Sequence, residues 1–75
     1  MNDPEKMSIA SLILSIEEWS NTYQFSFQFW GIGLNNVFIY KHDVEIYSSG
    51  DHENINEALI DALKYIYRIN DIRHE

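Results

Sequence analysis

Apolar residues recur at Ile9, Leu12, Ile13, Ile16 and Trp19, the i, i+3, i+4, i+7 spacing of one helix face. The pattern predicts a helix over 4–20, with Asp3 as N-cap, Pro4 in the first helical position and Ser20-Asn21 as the stop. Leu14 lies off the stripe and implies a wide buried arc. The period then changes. Over 22–30, TYQFSFQFW, the residues Tyr23, Phe25, Phe27 and Phe29 point one way; Gln24, Ser26, Gln28 and Trp30 point the other. Period two with aromatics predicts a half-buried strand. Gly31-Ile32-Gly33-Leu34-Asn35-Asn36 supplies turn chemistry, because Gly and Asn tolerate positive φ.

Residues 37–48, VFIYKHDVEIYS, are β-rich throughout and divide into strands over about 37–41 and 44–48. A two-residue turn at His42-Asp43 pairs Ile39 with Ile46. A three-residue turn pairs Tyr40 with Val44 and Phe38 with Ile46. No glycine at the tip favours a primed turn. Both registers turn Val44 and Ile46 to the core and Tyr47 away from it. A polar loop over 48–53 follows. Asn54 then opens a second helix, with Glu57 three residues on as in a capping box. Ile55, Leu59, Ala62, Leu63, Ile66 and Ile69 form its apolar face. Acids crowd its start, and Lys64, Arg68 and Arg73 lie towards its end, matching the helix dipole. The final residues, IRHE, are expected to fray.

The order is therefore α-β-β-β-α: one small α+β domain spanning 1–75. It is expected to be a three-stranded antiparallel sheet with both helices packed on one face. The other sheet face is then open to water. Trp30 and Tyr47 are expected there in either register, joined by Phe38 and Tyr40 in one register or by Val37 and Ile39 in the other. Aromatic side chains on an open face suit protein binding, since they bury much area at modest entropic cost.

Composition narrows the function. Five Lys+Arg against 12 Asp+Glu give a net charge of −7. That argues against a direct grip on nucleic-acid phosphates, which runs on clustered cations. The absence of cysteine excludes disulfides, thiolate chemistry and cysteine zinc sites. The apolar run Ile9–Ile16 is too short to span a bilayer, and the acid-containing start lacks the basic character of a secretory signal. A cytoplasmic location in the host cell follows as the default, with no membrane contact. His42, His52 and His74 lack metal-site spacing and read as solvated loop residues; no cofactor is expected. Ser48 and Ser49 lie outside any nucleophile motif, Glu17-Glu18 diverge on a helix, and Gly31-Ile32-Gly33 leads into a strand rather than a helix. No enzymatic activity is expected.

The α-β-β-β-α order resembles that of double-stranded-RNA-binding domains over most of the chain. Those domains open their last helix with lysines; here the position reads Asp51-His52-Glu53-Asn54-Ile55-Asn56-Glu57, which removes the case for RNA. In size, charge and topology the chain looks like small acidic phage-encoded inhibitors, among them anti-CRISPR proteins. One such family shares the helix, three-strand meander and following helix. The resemblance implies a noncatalytic, protein-binding inhibitor of a nucleic-acid-handling defence enzyme such as a CRISPR nuclease, occupying a basic groove. No site residue is carried over from it. From the residues themselves, Trp30, Tyr47 and Tyr40 are the candidate anchors, and Asp43, Glu45, Asp51 and Glu53 the steering charges. An immunity protein or antitoxin capping a basic toxin uses the same physics. A homo-oligomeric assembly protein, joined through open sheet faces, is the third class.

Overall fold

The computed structural model describes residues 3–72; of the end expected to fray, Arg73, His74 and Glu75 lie outside them, whereas Ile72 packs against the core with its N–H donating to Tyr67 O at 2.8 Å. The elements are a 3₁₀ turn (Pro4–Lys6), α1 (Ile9–Glu17), β1 (Gln24–Phe29), β2 (Asn35–Lys41), β3 (Val44–Ser48) and α2 (Ile55–Ile69). The strands form one antiparallel sheet in the order β1-β2-β3. This is the expected α+β arrangement.

The first helix is shorter than its hydrophobic spacing predicts, because two caps compete within its span. Asp3 caps only the 3₁₀ turn, its Oδ1 accepting from Glu5 N–H at 3.0 Å. Met7 and Ser8 then leave helical space, and Ser8 caps α1 by accepting from Ser11 N–H at 3.2 Å. Leu12 and Ile16 are fully buried, but Leu14 is 61% exposed. The buried arc of α1 is therefore narrow, not wide. At the start of α2 the Asn54 half of the expected capping box forms, Asn54 Oδ1 accepting from Glu57 N–H at 3.1 Å, while the Glu57 carboxylate lies 3.9 Å from His52 Nδ1. The buried face of α2 includes Tyr67 and Ala58 beside Leu59, Ala62, Leu63 and Ile66, whereas Ile69 is exposed.

The core lies between α2 and the two strands β2 and β3, and α1 packs chiefly along α2. Val37 and Ile39 are the fully buried positions of β2. Strand β1 runs out past this cover. Its alternation is as expected, but of the row Tyr23, Phe25, Phe27 and Phe29 only Tyr23 is buried, and Phe27 is 44% exposed. Asn70 Nδ2 fastens the end of α2 to the residue just before this strand, donating to Tyr23 Oη at 3.1 Å and to Ile66 O at 2.8 Å.

The β2–β3 hairpin departs from both expected registers. Its turn is the two-residue His42-Asp43 turn, with φ of 53° and 63°, the left-handed values of a primed turn made without glycine. Lys41 pairs with Val44 and Tyr40 with Glu45, but Ile39 pairs with Tyr47, not with Ile46. Ile46 is the extra residue of a β-bulge. Ile46 and Tyr47 both pack against the core as a result. Val44 shares the helix-side face by its pairing, yet it is 61% exposed at the hairpin tip.

Candidate protein-binding surface

Directly paired residues of an antiparallel sheet share a face. The face without helices therefore carries Gln24, Ser26 and Gln28 from β1, Asn36, Phe38 and Tyr40 from β2, and Glu45 and Ser48 from β3. Phe38 and Tyr40 are half-buried among these neighbours. Trp30 follows directly after β1 and is 71% exposed. Its N–H donates to Leu34 O at 3.3 Å, extending the β1–β2 ladder by one position.

The four candidate acids, Asp43, Glu45, Asp51 and Glu53, divide between the two ends of the sheet. Asp43 and Glu45 are exposed at the hairpin end, Glu45 directly opposite Tyr40. Asp51 and Glu53 are exposed in the loop before α2, at the Trp30 end. Asn35 holds that loop. Its side chain is buried, and Nδ2 lies within donor distance of Gly31 O (2.7 Å), His52 O (3.2 Å) and Glu53 O (3.2 Å). Its backbone also pairs with His52 as an isolated bridge. The two acidic ends are separated by the length of β2, roughly 20 Å at the usual strand rise. The cations lie elsewhere. Lys41 stands over the Tyr23 ring, Lys64 pairs with Glu5 at 2.8 Å, and Arg68 lies over the Tyr65 ring. Lys6 belongs to the 3₁₀ turn, which packs on α2.

Tyr47 does not lie on the open face. The bulge at Ile46 turns it to the helix side, where its ring stacks on Tyr65 at 4.0 Å between centroids. Its hydroxyl donates to Asp61 Oδ1 at 2.5 Å. Burial, then the Asp61 carboxylate, pushes the phenol up to about 12. Asp61 Oδ2 lies 3.0 Å from His52 Nε2, which is also 3.0 Å from Ser49 O. Two acceptors around one ring nitrogen place a proton on it. His52 is thus a built-in donor and not a merely solvated loop residue. Glu57 lies 3.9 Å from its other nitrogen. This Tyr47–Asp61–His52 chain was not visible in the sequence. It ties β3, the 49–53 loop and α2 together, beside a shallow cleft that Lys64 and Glu5 also line.

Trp30, Phe38, Tyr40 and Glu45 thus share the helix-free face, Asp43 lies in the turn beside it and Asp51 and Glu53 in the loop before α2, while Tyr47 is withdrawn into the packing behind the sheet. Among the described residues no group of three or more His, Asp or Glu side chains is disposed to hold a metal ion. No helix among them is long and apolar enough to cross a membrane. Compared with known proteins, the chain matches no family model, no curated protein and no solved structure.

Proposed function

We propose that this chain is a noncatalytic protein-binding inhibitor that occupies the basic nucleic-acid site of a partner enzyme, a CRISPR-type nuclease being the kind of target that fits. The observation that carries the reading is the pairing of Tyr40 with Glu45 on the open face. An aromatic anchor there sits beside an exposed carboxylate, and the described cations lie on the helix side. Trp30 and Tyr40 would fill apolar recesses of the partner. Asp43, Glu45, Asp51 and Glu53 would meet cations that otherwise hold phosphates, and would speed encounter at low salt.

The test is capture from host lysate with the immobilised chain, followed by competition. A nucleic-acid enzyme should be recovered, its binding should fall with added salt, and its own DNA or RNA substrate should displace it. Recovery of no nucleic-acid-binding protein, or binding indifferent to the substrate, overturns the reading.

A further inference from the structure

Strand β1 is an edge of the sheet, and no further strand among the described residues pairs with it. Trp30 N–H bonds back to Leu34 O. Antiparallel alternation then turns the backbone groups of Gln24, Ser26 and Gln28 towards β2, and those of Phe25, Phe27 and Phe29 outward. Val37 fits the same alternation from the other side, its N–H and C=O engaging Ser49.

Edge strands usually carry a charge, a proline or a bulge that discourages pairing. The other edge, β3, has both Glu45 and the bulge at Ile46. Strand β1 has none of the three. The contrast extends beyond the strand: in a chain of net charge −7, residues 19–40 contain no charged side chain. Two acidic copies repel wherever their charges meet, and this stretch is where they do not.

The strand is also symmetric in sequence. Gln24-Phe25-Ser26-Phe27-Gln28 reads the same in both directions. We infer that the chain forms a homodimer by antiparallel pairing of β1 with β1 of a second copy, about a two-fold axis through Ser26. The outward groups of Phe25 then bond those of Phe27 in the second copy. Gln24 faces Gln28, and Ser26 faces its own twin as a non-hydrogen-bonded pair. An axis through Phe27 would also satisfy the backbone, but it would set Ser26 against Gln28. Through Ser26, the Phe25–Phe27–Phe29 ring row (centroid steps of 6.4 and 5.6 Å) continues across the axis, covering the exposed Phe27. The two sheets become one of six strands, with both sets of helices on the same side. This contact uses the sheet edge and stands apart from the partner reading of the open face.

The chain has no cysteine, so a single thiol reports the register. Ser26 is exposed, and its replacement leaves the core untouched. Sedimentation equilibrium of the unmodified chain in the high-micromolar range should give twice its 8.9 kDa mass. Ser26→Cys should oxidise to a disulfide dimer at least ten-fold faster than Gln24→Cys. The twin of Gln24 lies about four residues away along the strand, roughly 13 Å, beyond disulfide reach. Ser26→Glu and Ser26→Lys should each be monomeric alone and associate when mixed. A monomeric unmodified chain overturns the dimer. Equal oxidation of the two cysteine variants, or a Glu/Lys mixture that stays monomeric, overturns the Ser26 axis.

Discussion

Tyr47 on β3 and Asp61 on α2 are joined by a hydrogen bond of 2.5 Å, and the same carboxylate takes His52 on its second oxygen. One α2 side chain thereby holds both the last strand and the loop that follows it. Replacing Tyr47 by Phe should keep the ring stack on Tyr65 and leave Asp61 Oδ1 without its donor. A loss of about 1–2 kcal/mol is expected in urea unfolding, the cost of stranding a part-buried charged acceptor.

The same bond sets an alkaline limit. Tyr47 is raised from 10.0 to about 12, and Tyr67 is raised by burial, so both favour the neutral form in the folded state. A raised group contributes stability that is fully present below its unfolded value and is lost as pH climbs through its folded value. Stability should therefore decline between about pH 10 and 12. In phenolate absorbance titration, Tyr47→Phe should remove one late-ionising tyrosine and leave the Tyr67 signal in place.

The hairpin tip is open to improvement. His42 and Asp43 both sit at positive φ, where a side chain with Cβ is strained. Converting the pair to Asn-Gly should raise stability by about 1 kcal/mol, with no change in register. Thermal melts compared with the unmodified chain measure this.

Asn35 is a second structural centre. Its amide reaches three carbonyls across two loops, and it is buried. Asn35→Ala should cost about 1–3 kcal/mol. Amide exchange should quicken at Gly33 and His52, whose N–H groups bond across the same loops. Equal protection in variant and unmodified chain would refute the clamp.

Trp30 has the opposite character. At 71% exposure it should be removable, Trp30→Ala changing folding stability by less than about 0.5 kcal/mol. Binding to the captured partner should weaken by more than about 1 kcal/mol if the indole is an anchor. Calorimetric titration with that partner decides it.

The element order, the β1 alternation and the Asn54 cap were legible because each rests on local chemistry: period, turn residue or capping side chain. The early end of the first helix was not, because Asp3 and Ser8 are both good caps and only tertiary packing chooses how the span divides. Trp30 and Tyr40 fall where alternation puts them. Tyr47 does not, because a bulge leaves no mark on hydrophobic spacing. The hydrogen-bond chain through Asp61 was hidden for the same reason: its partners meet only after that extra residue is counted.

The bulge makes facing in β3 a question of parity. Ile46 is an odd member inserted in an even beat, and everything after it is inverted relative to a regular strand. Deleting Ile46 would restore regular alternation and leave Tyr47 opposite Ile39 on the helix side. A regular ladder that kept all five residues and set Ile46 opposite Ile39 would instead swing the Tyr47 phenol to the far side of the sheet and away from Asp61.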